Sequence, residues 1–205
     1  MTAKKHVGVL VSGSGSNLQA LIDACAAPDF PAQISVVLSN VATAFALERA
    51  KKAGVATEVL DHKAFANRAA YDAALIAVLR KHNVTRIALA GFMRLLTPDF
   101  LRAFPEGVMN VHPALLPAFP GVHGAKQALE YGAKIAGCTV HFVDEGTDTG
   151  PIIAQAAVPI LDSDDEKMLQ ARIQLEEHRL YPQCLRLWCE DRLVVEGRRV
   201  KIRGA

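Results

Sequence analysis

The sequence predicts an α/β fold, a single domain with an open, mostly parallel twisted sheet flanked by helices and with antiparallel additions in its C-terminal half. Short apolar runs alternate with helical spacing over the first 90 residues, which is typical of βαβ units with right-handed crossovers. The later apolar runs come in neighbouring pairs, which indicates hairpins. A chain of 205 residues suits one domain with an ample core.

The first half is expected to alternate four strands with three helices. Residues 7–11 (VGVLV) are apolar throughout, which is typical of a strand buried on both faces. The strands are expected at 7–11, 34–38, 57–60 and 86–90, and the helices at 17–27, 43–53 and 67–82.

The second half is expected to begin with a strand at 107–111 and a proline-rich loop at 113–121. Residues 164–188 have the pattern of a long helix that is interrupted or ended near Pro182. The other elements are expected as a helix at 122–131, a hairpin of 138–143 with 152–158 around the acidic loop 144–150, and a last hairpin of 193–195 with 200–202 that turns at 196–197.

Composition excludes several classes of protein. Hydrophobic residues make up 51% and charged residues 21%, which excludes a disordered chain. The net charge of +2 is too balanced to indicate a nucleic-acid partner, and no apolar run approaches the roughly 20 residues of a membrane helix. The four cysteines lack zinc-site spacing, and no signal peptide is expected, because the short polar stretch 1–5 leads directly into an apolar run. Free thiols in a cytoplasmic protein are therefore expected.

A glycine-rich turn, residues 12–17 (SGSGSN), lies between the first strand and the first helix. Glycines permit close backbone approach, and a helix N-terminus attracts anions, so a phosphate is the natural ligand. The alternative is a tight turn in which Ser16 or Asn17 caps the helix. The dinucleotide fingerprint is incomplete, because Leu18 replaces its third glycine and no acidic residue ends the second strand.

Asn110 and His112 end the strand expected at 107–111, and residues two apart in a strand face the same side. An amide donor beside an imidazole suits stabilisation of an oxyanion and proton transfer. Asp148, in the loop 144–150, could orient such a histidine. The alternatives are a hydrogen-bonded structural histidine and a solvated turn carboxylate. The remaining histidines form no metal-ligand spacing, so no metal is expected.

Together these segments resemble the folate-dependent formyltransferase family. Two positions depart from the family pattern, Ala114 in place of a frequent serine and Thr147 in place of a branched apolar residue. Thr147 is expected to alter the packing of the loop that holds Asp148. The matching strings are VLVSGSGSNLQALID at 9–23, LAGFMRLLTPDF at 89–100, NVHPALLPAFPGVHGAKQAL at 110–129, GCTVHFVDEGTDTGPIIAQ at 137–155 and EEHRLYP at 176–182.

The resemblance implies transfer of a formyl group from 10-formyltetrahydrofolate to glycinamide ribonucleotide (GAR) in purine biosynthesis, by a monomer or homodimer. Asn110 and a protonated His112 would stabilise the anionic oxygen, and Asp148 would hold His112. About residues 1–105 would form the phosphate- and substrate-binding half, and about 106–205 the catalytic and folate-binding half. The implied ligand contacts are Gly15, Ser16, Asn17 and Glu177 for GAR, and Arg68, Met93, Arg94, Leu95, Leu96, Asn110 and Asp144 for the folate.

Several alternatives stay open. Without the resemblance, Glu177 reads as an exposed helix residue, and Met93 and Leu95 read as core. Related activities on the same core are methionyl-tRNA formylation, formyltetrahydrofolate hydrolysis and sugar-nucleotide formylation. The first needs a further C-terminal domain and a basic surface, and the second an N-terminal regulatory domain, neither of which this sequence suggests. A non-catalytic nucleotide-binding module is the alternative from a different class.

Overall fold

The computed structural model describes residues 3–204, in which strands and helices alternate as the sequence predicts. Residues 1, 2 and 205, the ends of the predicted single domain, lie outside the described residues. The chain divides into two units, Met1–Met109 and Asn110–Ala205. The assignment of substrate and folate functions to the two halves stays a prediction.

The first unit is built on four parallel strands, β1 (Lys5–Val11), β2 (Ala32–Ser39), β3 (Thr57–Val59) and β4 (Arg86–Leu89). Their order in the sheet is β3, β2, β1, β4. Because β1 pairs on both sides and is covered on both faces, its last five residues are buried, which confirms the prediction for that apolar run.

Three helices of this unit lie where helical spacing predicts them, and two short ones add to them. Thr97 caps one added helix by accepting from the N–H of Phe100, and Pro98 occupies its first turn. The added elements have too few residues to show a period. The helices are α1 (Ser16–Cys25), α2 (Phe45–Lys52), α3 (Arg68–Lys81) and α4 (Pro98–Ala103), with a 3-10 turn at His62–Ala64.

The second unit contains the expected antiparallel pairs. The elements after α4 are β5 (Val108–His112), which runs across the division, α5 (Gly124–Tyr131), β6 (Ile135–Phe142), β7 (Ile152–Pro159), α6 (Glu166–Cys189), β8 (Leu193–Glu196) and β9 (Arg199–Ile202). Strands β6 and β7 are antiparallel, as are β8 and β9, and β9 joins β7 in parallel at Ile152 and Arg199. The last turn falls after Glu196, one residue later than expected.

Helix α6 continues through Pro182, so the expected interruption there is wrong. Proline removes one backbone donor and usually kinks or ends a helix. Here the buried face continues on both sides of the proline, from Leu169 and Ile173 to Leu185 and Trp188. Tertiary packing of this face outweighs the lost hydrogen bond, since most helical stability in proteins comes from packing.

The four cysteines are free thiols, as expected. Burial raises the pKa of Cys138 to about 12, and the nearby Glu177 carboxylate adds to this rise. Burial also raises the pKa of Cys184 to about 12. These thiols are therefore protonated and poorly nucleophilic at neutral pH. Among residues 3–204, no helix has the combined length and apolarity to cross a bilayer.

Candidate active site

His112 ends strand β5 with its ring between two acceptors, and the residue is only 3% exposed. Its Nε2 lies 2.9 Å from the carbonyl oxygen of Phe119. Because a carbonyl only accepts, Nε2 carries the proton. Nδ1 lies 3.5 Å from Oδ2 of Asp148. Both N–H groups of an imidazolium therefore have acceptors here.

Asp148 is held in place by the loop 144–150. Its backbone is left-handed at φ 55°, which aspartate tolerates better than most residues, and Oδ2 accepts from the N–H of Gly121 at 2.8 Å. Gly150 is required, since a Cβ there would lie 1.8 Å from the carbonyl oxygen of Phe142. The side chain of Asp148 is 13% exposed, so a solvated turn carboxylate does not describe it.

Asp144 shapes the same loop. Its Oδ1 accepts from the N–H of Gly146 at 3.1 Å and from the hydroxyl of Thr149 at 2.6 Å. The side chain of Thr147 is exposed, so the expectation that it alters the loop's packing is wrong. Ala114, the other departure from the family pattern, is buried, and its carbonyl accepts from the hydroxyl of Thr139 at 2.7 Å.

His141 is a further histidine beside these residues, and the sequence does not single it out. It is 1% exposed in β6, and burial lowers its pKa, so the ring is neutral near pH 7. Nδ1 donates to the carbonyl of Phe142 at 2.9 Å, which leaves Nε2 as the acceptor. Nε2 faces Oδ1 of Asp148 at 3.7 Å. Its place near the carboxyl end of a strand, as for His112, is the signal that could have identified it.

Asn110 is oriented by this second histidine. Its Nδ2 donates to Nε2 of His141 at 3.2 Å. An amide nitrogen carries two hydrogens, and this bond uses one of them. The structure thus brings Asn110, His112 and Asp148 together around one added residue, His141, in an arrangement that can donate to an oxyanion and hold a proton.

The backbone of the glycine-rich turn packs against the start of α2 and is hydrogen-bonded to it. Gly15 precedes α1 with φ 71°, and a Cβ there would lie 2.6 Å from the Cβ of Ala46. The N–H of Ala46 donates to the carbonyl of Gly13 at 3.1 Å, and Nε of Arg49 donates to that of Ser14 at 2.9 Å. Gly15 is the N-cap residue, so the alternative in which Ser16 or Asn17 caps the helix is wrong. Both are helical and contribute to its N-terminal turn.

The residues expected to contact folate in the first unit are mostly accessible. Met93 is 69% and Leu95 55% exposed, so core packing does not describe them, whereas Leu96 is buried. The guanidinium of Arg94 lies over the ring of Tyr71, with Cζ 5.5 Å from the ring centroid. Arg68, the first residue of α3, is exposed.

Glu177 is 3% exposed within α6, so the reading as a plain exposed helix residue is wrong. Residues 3–204 contain no group of three or more His, Cys, Asp or Glu side chains that could hold a metal ion.

Comparison with known proteins gives a consistent picture. The formyl transferase family model matches residues 5–185. The trifunctional purine biosynthetic protein adenosine-3 of Drosophila pseudoobscura pseudoobscura is 53% identical over 90% of this chain, but the chain spans only 14% of that relative. Phosphoribosylglycinamide formyltransferase of Escherichia coli K12 is 45% identical over 92% of this chain and 89% of its own. Glycinamide ribonucleotide transformylase 1 from Symbiobacterium toebii has a TM-score of 0.96 at 51% identity, covering 98% of this chain and 95% of that one. The chain therefore belongs to the formyl transferase family.

Proposed function

We propose that this protein transfers the formyl group of 10-formyltetrahydrofolate to the primary amine of GAR, giving formyl-GAR and tetrahydrofolate in purine biosynthesis. The observation that carries the proposal is the 3.5 Å approach of Asp148 to His112, with the amide of Asn110 held beside it by His141. The E. coli and S. toebii relatives, which are named for this activity, support the choice of acceptor.

The reaction needs an oxyanion site and a proton carrier. The amine attacks the formyl carbon, and the resulting tetrahedral adduct carries a negative oxygen. The second amide hydrogen of Asn110 and the Nε2–H of His112 would donate to that oxygen, which would take the place of the Phe119 carbonyl. Asp148 would hold His112 and, through water, help to relay a proton to the departing folate nitrogen. The buried thiols are poor candidates for a covalent intermediate.

Each substrate has residues suited to hold it. The GAR phosphate would bind at Gly15, Ser16 and Asn17, where the N–H groups of a helix N-terminus favour an anion, and Glu177 would contact the ribose. We propose small-molecule substrates only, no metal, and a cytoplasmic monomer or homodimer. The folate would contact Arg68, Met93, Arg94, Leu95, Leu96, Asn110 and Asp144.

The activity is tested by mixing the purified protein with 10-formyltetrahydrofolate and following the ultraviolet absorbance of the folate. We expect turnover that depends on added GAR. Turnover with water alone would favour a hydrolase, and turnover only with methionyl-tRNA would favour a tRNA formyltransferase. Absence of turnover with every acceptor would favour a binding module.

Gly15 and Gly13 form a matched pair for testing the phosphate turn. Gly15→Ala should lower the free energy of unfolding by at least about 1–2 kcal/mol, because φ is 71° and Ala46 occupies the space for a Cβ. Gly13→Ala should leave stability nearly unchanged, because nothing lies within 4 Å of its Cβ position. Thermal unfolding measures both.

The KM values of Gly15→Ala separate a role of Gly15 in packing from a role in phosphate binding. In the folded fraction, Gly15→Ala should raise the KM for GAR several-fold more than the KM for the folate, because displacement of the turn moves the N–H groups of Ser16 and Asn17. Equal changes in both KM values would assign Gly15 to packing alone.

A further inference from the structure

In the segment 93–97, large apolar side chains are exposed while hydrogen bonds to side chains hold the backbone at both ends. Met93 and Leu95 are 69% and 55% exposed. At each end of the segment, however, a backbone N–H donates to a side chain from elsewhere in the first unit. Large apolar side chains on a fixed backbone are typical of a preorganised binding surface.

The first attachment is the hydroxyl of Ser12. Its Oγ accepts from the N–H of Met93 at 2.9 Å and donates to Oδ1 of Asn40 at 2.6 Å. Asn40 is 5% exposed, so the hydroxyl hydrogen is committed and a lone pair is directed at Met93. The N–H of Ser12 also donates to the carbonyl of Gly91 at 3.1 Å. Ser12 thus belongs to the glycine-rich turn in sequence, but its side chain is hydrogen-bonded to the backbone of the segment 93–97.

The second attachment is the carboxylate of Asp72 on α3. Asp72 is 2% exposed, and its Oδ2 accepts from the N–H of Thr97 at 2.7 Å. Burial of a carboxylate costs free energy unless hydrogen bonds compensate for it. The bond from the N–H of Thr97 provides such compensation for Asp72. The neighbouring Tyr71 places its ring under the guanidinium of Arg94.

We propose that Ser12 and Asp72 are positioning residues that clamp the two ends of the segment 93–97, so that Met93 and Leu95 present a rigid apolar surface to the folate co-substrate. The inference rests on the proposed function, which assigns this segment to the folate. A preorganised surface binds more tightly because less conformational entropy is lost on binding. Loss of either clamp should therefore weaken folate binding, although Ser12 lies in the turn assigned to the GAR phosphate.

The test compares KM values for both substrates in Ser12→Ala and Asp72→Ala. Each variant should raise the KM for 10-formyltetrahydrofolate about threefold to tenfold, which corresponds to the net free energy of one hydrogen bond. The kcat and the KM for GAR should stay within about twofold of those of the unmodified protein. Ser12→Thr and Asp72→Asn keep an acceptor and should restore the folate KM. If Asp72→Ala fails to fold, Ser12→Ala carries the test.

Two controls separate positioning from general stability. Thr85→Val removes a hydroxyl that bonds the carbonyl of His6, at the opposite ends of β1 and β4, and should leave both KM values unchanged. Leu79→Ala lowers stability from the buried face of α3 and should also leave them unchanged. A rise in the GAR KM with Ser12→Ala, or equal changes in Ser12→Ala and Leu79→Ala, would overturn the clamp.

Met93→Ala distinguishes failure of the clamp from failure of the proposed folate surface. If it raises the folate KM while Ser12→Ala and Asp72→Ala do not, the clamp is wrong and the surface stands. If Met93→Ala leaves the folate KM unchanged while GAR-dependent turnover persists, the folate binds elsewhere. The proposed folate surface and the proposed clamp are then both wrong.

Discussion

Replacement of His112 by alanine is expected to lower kcat by at least about a hundredfold while the protein stays folded. The variant loses the Nε2 proton now donated to Phe119 and the ring that faces Asp148. General acid–base assistance is worth ~10²–10⁴ in rate, and a lost oxyanion donor ~10²–10³. One side chain supplies both effects, so they are not multiplied. The measurement is kcat under saturating GAR and folate.

His82 provides the matched control. Its Nε2 lies 3.1 Å from Oε1 of Glu58, so the chain offers a second histidine–carboxylate pair outside the candidate site. His82→Ala should leave kcat within about twofold of the unmodified protein. A His112→Ala variant that keeps more than about a tenth of kcat would remove His112 from the mechanism, since the expected loss begins near a hundredfold.

Asp148→Asn is expected to lower kcat at neutral pH by about tenfold or more, because part of the general acid–base assistance from His112 is lost. Asparagine tolerates the left-handed backbone, and an amide oxygen at the position of Oδ2 keeps the bond from Gly121. At the position of Oδ1 the amide nitrogen faces Nε2 of His141, whose single lone pair stays with Asn110. Only the negative charge beside His112 is lost. The carboxylate that faces Nδ1 and holds the ring of His112 is then replaced by a neutral amide, so His112 is a weaker proton carrier.

The measurement is kcat against pH for both proteins, with a separate titration of folate binding. Folate and GAR binding should change little. Glu58→Gln makes the same change beside His82 and should leave the profile unchanged. If Asp148→Asn had the same pH profile and kcat as the unmodified protein, Asp148 would have only a structural role. It would then not act as the catalytic partner of His112.

The strands and long helices were predictable because their signals are local. A run such as 7–11, apolar at every position, has few alternatives to a buried central strand. The continuation of α6 through Pro182 was not predictable, because the packed face that overrides the proline comes from the fold and not from the helix's own propensity. The short α4 depends on its cap, Thr97, and not on any period.

The candidate site was predictable only in part. Asn110 and His112 follow from the end of a strand, and Asp148 from an acidic loop. The place of His141 near the end of a strand is visible in the sequence, but the partners of its ring, Asn110 at 31 residues and Asp148 at 7 residues along the chain, are set by the fold. The bond between Ser12 and Met93 joins positions 81 residues apart, so the sequence shows the glycine-rich turn but not the backbone attachment that its first residue makes.

The formyl transfer itself is measured with an isotopically labelled formyl group. The protein is incubated with 10-formyltetrahydrofolate labelled at the formyl carbon and with GAR, and the products are identified by mass spectrometry. We expect the label to be recovered on the amine of GAR, in an amount equal to the tetrahydrofolate formed, and His112→Ala to lower the rate of this recovery at least about a hundredfold. Label recovered as free formate at the same rate with and without GAR would contradict it.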